Sequence, residues 1–182
     1  MDKELMFDVG QANEIKSEGD MFASILPVLR GFGEVIQTNV ITRRVRVNRS
    51  RTPQEVLEAT GRAQYTDRKV VDAMPKGEEG DEVEVVFFKP DLSERNGYIS
   101  DDDLKKEFEL RGLKPADPIS LAAVNEADRA FADEHPNATH WKDADGRWCY
   151  AAFNRWFGER KVRVRRGGGG WDDSWWFAGV RK

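Results

Sequence analysis

All six tryptophans of this 182-residue chain lie at or beyond Trp141, and they alternate with strand-like runs: "RWCYAAFNRW", "KVRVRR" and "WWFAGVRK". That clustering constrains the fold more than any other feature. The strand-like runs that carry and surround these rigid aromatic side chains point to a sheet with a buried face. The end of the chain is therefore the scaffold, although four consecutive glycines, Gly167 to Gly170, interrupt it. In "RKVRVRR", alternation turns Val162 and Val164 inward and Lys161, Arg163 and Arg165 outward.

The order of elements before this cluster predicts an α+β domain. "DEVEVVFFKP" reads as a strand ended by Pro90. Ser100 followed by Asp101, Asp102 and Asp103 starts a helix with acids at its positive end, Leu104 and Phe108 on one face, and Gly112 closing it. Asp117-Pro118 starts a second helix, with Leu121, Val124 and Phe131 on one face, running to just before Pro136. Strands follow around "THWKD", "RWCYAAFNRW", "KVRVRR" and "WWFAGVRK", with Asp-Gly in "KDADG" making a hairpin turn. The first and last strands of this half are placed to pair with each other.

Further upstream, Thr52-Pro53-Gln54-Glu55 forms a capping box opening a short helix that stops near Gly61. "GEVIQTNVITRRVRVNRS" reads as one bent strand or two short ones, with Val45 and Val47 on one face and Arg44, Arg46 and Asn48 on the other. "DMFASILPVLRGFG" suits a short buried helix or an interface segment. A polar stretch ending at Gly80 suggests a boundary. Residues 1–79 are then a mixed N-terminal extension serving oligomerisation or packing, and residues 80–182 the main domain.

Catalytic constellations are poor. His135 and His140 have no metal-ligand spacing, and Cys149, the only cysteine, neither closes a disulfide nor builds a zinc site. His140 suits a hydrogen-bonded structural role, and Cys149 a small buried hydrophobe. The glycine run is no phosphate loop, because no Lys-Ser/Thr follows. The expectation is a protein without catalytic residues, metal or cofactor. Net charge of −4 argues against a globally basic nucleic-acid binder. No apolar run reaches membrane-spanning length. The opening "MDKELMFDVGQ" lacks a signal-peptide core, so a cytoplasmic or virion-associated protein is expected, with export by another route left open.

The order strand, helix, helix, strand cluster, together with "THWKDADGRW" and the closing "FAGVRK", resembles a C-type-lectin-like domain. "RWFGERKVRVRRGGGGWDDSWWFAGVRK" resembles the variable region of proteins diversified by retroelements. The resemblance covers about 80–182, with a variable region of about 149–177; nothing comparable covers 1–79. It implies that an error-prone reverse transcriptase exchanges residues at adenine-rich codons, often AAY. Such codons reach Phe, Gly, Arg, Asp and Ser but not Trp, Lys, Glu, Gln or Met.

The implied ligand surface is Asn154, Phe157, Gly158, Arg163, Arg165, Gly167, Gly168, Gly169, Gly170, Asp172, Asp173 and Ser174. The implied aromatic scaffold is Trp141, Trp148, Trp156, Trp171, Trp175 and Trp176. The four glycines would then be one draw from many residues. Calcium-dependent sugar binding is not implied, since paired cysteines and the sugar-site motif are missing; nor is the activity of the fold's sulfatase-activating relatives. The expected partner is a macromolecule, a protein in the first instance. The alternative is a nucleic-acid-binding or phage/host accessory protein using the arginines of 43–51 and 160–166.

Overall fold

In the computed structural model the described residues are 39–182 except Glu79 and Gly168; the apolar segment at 20–33 lies outside them. Strand β1 (Val40–Arg46) follows the expected alternation, with Val45 and Val47 buried and Arg44, Arg46 and Asn48 exposed. It runs antiparallel to β3 (Glu82–Phe88), which sets Arg44 opposite Glu84 and Arg46 opposite Glu82. Both arginines form ion pairs with those glutamates, at 3.3 and 3.7 Å.

Helix α1 (Pro53–Ala59) opens on the expected box: Thr52 Oγ1 accepts from the Glu55 amide, and the Glu55 carboxylate accepts from the Thr52 amide at 2.7 Å. Next come a short strand, β2 (Ala63–Thr66), and helix α2 (Arg68–Asp72), capped by the Asp67 side chain. Neither is legible locally. Strand β2 is four residues long and exists because it pairs in parallel with β8 (Glu159–Arg166). The suggested boundary at Gly80 therefore falls inside one compact unit spanning Val40–Lys182. Residues 40–78 are part of the sheet rather than an appendage, because two of its strands come from them.

After β3, a single 3-10 turn (Ser93–Arg95) and β4 (Tyr98–Ile99) lead to α3 (Asp101–Leu110), capped by Ser100. Strand β5 (Leu113–Pro115) precedes α4 (Pro118–Ala127), whose N-terminus is capped by Asp117. Sequence spacing predicts one helix continuing to Pro136. The helix instead ends at Ala127, where Asp128 turns extended and its carboxylate accepts from the Ala130 amide, offering the backbone an alternative to another helical turn. A separate turn, α5 (Phe131–Glu134), still delivers Phe131 to the core.

Strands β6 (Asn137–Lys142), β7 (Trp148–Trp156), β8, β9 (Trp171–Asp172) and β10 (Trp176–Arg181) complete the chain. The main sheet runs β1-β3-β10-β6-β7-β8-β2, with β5 beside β10 and a separate β4–β9 pair. The expected end-to-end pairing is present: Phe177 of β10 lies opposite Phe88 of β3. Helices lie on both faces of the sheet. Val85 and Phe87 face one core, with Leu57, Val71, Leu121 and Val124 from α1, α2 and α4. Val86 and Phe88 face the other, with Leu104 and Phe108 from α3 and with Trp171. Phe87, Phe88, Phe108, Phe153 and Phe177 are at most 1% exposed, each burial contributing about 1.5–3 kcal/mol. No helix among the described residues is long and apolar enough to cross a membrane.

Gly179 lets α3 press onto β10. A Cβ there would stand 3.1 Å from Phe108 Cε1 and 3.2 Å from Leu113 Cβ. Gly179→Ala is therefore expected to cost about 1–3 kcal/mol by overpacking, read as a lower urea midpoint. An unchanged midpoint would mean that the helix can retreat without loss.

Candidate functional site

The β7–β8 hairpin carries most of the residues singled out from the sequence. Its tip is a two-residue turn, Phe157-Gly158, with both residues at positive φ, 49° and 78°. That geometry matches the twist of the flanking strands and favours Asn-Gly. Phenylalanine in the left-handed region is unfavourable by about 1–2 kcal/mol, and no burial offsets it, because Phe157 is 93% exposed. Trp156 stands beside it edge-on, at 5.3 Å between ring centroids, and is 54% exposed. This corrects the assignment of Trp156 to the scaffold: the hairpin tip projects past the cores, so its aromatic pair faces solvent. Phe157→Asn is expected to stabilise the protein by about 1 kcal/mol, raising Tm by about 2–4 °C. A fall in Tm on calorimetry would show that the ring is structural.

Along β8, Val162 and Val164 are fully buried, while Arg163 is half-buried and Arg165 exposed, as alternation requires. The edge strand β2 extends this outward face. Arg165 Nε donates to the Tyr65 carbonyl at 3.1 Å, Lys161 Nζ lies 5.0 Å from the Tyr65 ring centroid, and the Tyr65 hydroxyl donates to Glu159 at 2.9 Å. Sequence reading missed Tyr65; its only local signal is an aromatic residue in a four-residue run. Asn154, expected on the ligand surface, is 6% exposed. It sits within the sheet opposite Lys161, its carbonyl accepts from Arg62 Nη1 at 3.1 Å, and its side-chain oxygen is buried without a protein partner.

The glycine run is not uniform. Gly169 has open space around it. Gly170 has φ 74°, and a Cβ there would stand 3.1 Å from the Ile99 carbonyl oxygen. A Cβ on Gly167 would stand 3.2 Å from Asp101 Oδ2. Gly168 lies outside the described residues. A side chain thus has room at Gly169 and none at Gly170, where β9 pairs with β4.

Behind this loop, Trp171 is buried and packs edge-on against Tyr150, Trp175 and Phe177. Its Nε1 donates to Asp101 Oδ1 at 3.0 Å, and the same oxygen lies 2.8 Å from His140 Nδ1. Burial raises the Asp101 carboxyl pKa, but the bonds from His140 and Trp171 and the imidazole's charge outweigh it and hold the group below the ordinary carboxylate value. Trp148 stacks on His140 at 4.3 Å and donates to Asp102 at 3.1 Å. Trp141 and Trp176 pack half-buried against the larger core. Between the loop and the sheet lies a cavity of ≈ 220 Å³, lined by Asp101, Tyr150, Ala152, Arg163, Gly169, Gly170, Trp171 and Trp175. Beside it, Asp172 is half-buried and Asp173 and Ser174 are exposed. The Asp172 carboxylate accepts from the Ser174 amide at 2.9 Å and from its hydroxyl, which shapes the turn.

The other sequence candidates separate from this face. The basic run of β1 is separated from β8 by four intervening strands. Its arginines are engaged: Arg44 and Arg46 with glutamates, Arg49 with Asp117, Arg51 with Glu126. Cys149 is buried, and burial raises its thiol pKa, which suits packing rather than attack. Among the described residues no group of three His, Cys, Asp or Glu side chains could hold a metal ion. Comparisons with family models, with curated proteins and with solved structures returned no match.

Proposed function

We propose that this chain is a ligand-binding protein of the C-type-lectin-like class. In this reading the face built by β2, β7, β8 and the glycine loop recognises a macromolecule, a protein in the first instance. We further propose that retroelement mutagenesis diversifies the exposed part of that face. The observation that carries the reading is the partition along 156–176. Phe157, Arg165, Gly169, Asp173 and Ser174 are exposed and belong to the set that AAY codons reach, whereas Trp171, outside that set, and Val162 and Val164, within it, are buried beneath them; Trp156 and Glu159 are exposed although outside the set. A strained, exposed phenylalanine supports a binding role, because such strain persists where function uses it. The pairing of first and last strands around two helices supports the lectin-like class. Asn154 and Gly170 leave the proposed variable set, one for its burial and the other for its backbone.

The genomic test is direct. Near the gene there should be a second copy of the segment encoding about 149–177, differing at adenines and accompanied by a reverse transcriptase gene. Its absence from the complete genome would remove the diversification. The protein test replaces Arg163 and Arg165 with Ala, which should leave Tm within a few degrees, since Arg165 is exposed, Arg163 is half-buried on the outward face, and the contact of Arg165 is to a backbone carbonyl. A large loss of Tm would make them structural. For the nucleic-acid alternative, the salt slope of binding decides. Its two basic runs stand apart, and Asp172 and Asp173 flank the face, so weak binding is expected.

A further inference from the structure

We infer a second site, for a small planar heterocycle carrying an anionic tail, on a part of the molecule that the variable face does not use. A cleft of ≈ 410 Å³ opens between the segment around Gly77, the β5–α4 connection and the start of β7. That volume is in the range of small-molecule sites, and its walls are largely apolar. Trp141, Trp148, Pro115 and Pro118 supply flat surfaces for a ring. Lys105, Lys114 and Lys142 also line it, and Lys142 Nζ lies 4.8 Å from the Trp148 ring centroid. Two carboxylates, Asp117 and Glu78, line the cleft as well; Asp117 is already bound by Arg49 and Ser120, and Glu78 and Lys114 each have a partner of their own, which leaves Lys105 and Lys142 to set the charge. The balance of charge therefore favours an anion.

A separate observation points to the ring's chemistry. His140 lines the same cleft and is 1% exposed, and its Nε2 has no hydrogen-bond partner. The Asp101 carboxylate takes the Nδ1–H, and Nε2 is left as a buried ring nitrogen without a protein partner. An unmatched buried polar atom costs about 1–3 kcal/mol, and a ring nitrogen or amine of the ligand, able to donate or accept, would remove that cost. Trp148, half-buried and stacked on the imidazole, is the side chain such a ligand shifts. A planar nitrogen heterocycle with a carboxylate or phosphate fits the ring surfaces, the unmatched nitrogen and the charge together.

The test uses the full chain with 15N-labelled tryptophan, titrated separately with indole-3-acetate and adenosine 5′-monophosphate. Adenosine and inorganic phosphate serve as half-ligands, and the two parent probes distinguish a carboxylate from a phosphate tail. The expected result is a saturable shift of the Trp141 and Trp148 indole N–H signals with at least one probe, at a Kd of about 1 mM or tighter. Lys105→Glu and Lys142→Glu, both at exposed positions, should each weaken it about tenfold, with Trp171 and Trp175 signals unmoved. The inference falls if neither probe gives a saturable shift, if the lysine variants bind equally well, or if the shifts centre on Trp171 and Trp175.

Discussion

Asp101→Ala is expected to lower unfolding free energy by about 2–6 kcal/mol, because each of two buried donors left without a partner costs about 1–3 kcal/mol. A single carboxylate oxygen accepts from both His140 and Trp171, which come from different strands. Its removal leaves two buried donors without partners and a void under Trp171, the side chain on which Tyr150, Trp175 and Phe177 converge. Urea midpoints at pH 7 read the effect, and a change below about 0.5 kcal/mol would place Asp101 among ordinary surface residues. The same carboxylate has a pH signature. Its folded pKa is depressed, so its stabilisation is complete above the unfolded value of about 3.9 and is lost as pH falls through the lower folded value. Stability of the native chain should fall across that acid window, and Asp101→Asn should lack this component while losing part of the pH 7 stability.

Gly170→Ser and Gly169→Ser are expected to differ sharply although the residues are adjacent. Gly170→Ser places a side chain at φ 74° against the Ile99 carbonyl, at a cost of about 1–3 kcal/mol. Gly169→Ser enters open space and should change stability by less than about 0.5 kcal/mol. Thermal unfolding of the two single variants reads the contrast. Equal losses would mean that the whole glycine run is a fold requirement, and the proposed variability of this loop would shrink to Asp173 and Ser174. Equal tolerance would mean that β9 can move away from β4.

Much of the strand scaffold was legible because its signals are local. Val162 and Val164 alternate with Arg163 and Arg165, and side-chain direction in a strand has period two whatever lies elsewhere. Thr52 and Glu55 close a box within one helical turn. The Asp-Gly pair of "KDADG" turns on its own backbone: Asp143 accepts from the Asp145 and Arg147 amides at 3.0 and 2.9 Å. Gly179 shows the limit, since its period-two neighbours reveal a strand but not the helix pressing on it.

The candidate face was read in outline and misread at particular residues. Trp156 resembles its buried counterparts in sequence, yet it stands at a hairpin tip beyond both cores. Asn154 resembles a polar outward position, yet both faces of the sheet are covered there. Tyr65 enters the face through a parallel pairing with residues about a hundred positions later, and no window along the chain contains that partnership.

By itself, the sequence determined the period of each long strand, the starts of α1, α3 and α4, and the concentration of tryptophans near the end of the chain. Only the tertiary structure decided which tryptophans are exposed, which glycines are obligatory, that residues 40–78 complete the sheet, and that Asp101, His140 and Trp171 share one buried hydrogen-bonding centre. The division follows the range of the forces. Alternation and capping act within a few residues, whereas burial, close approach of backbones and the pairing of buried polar groups depend on which distant segments meet.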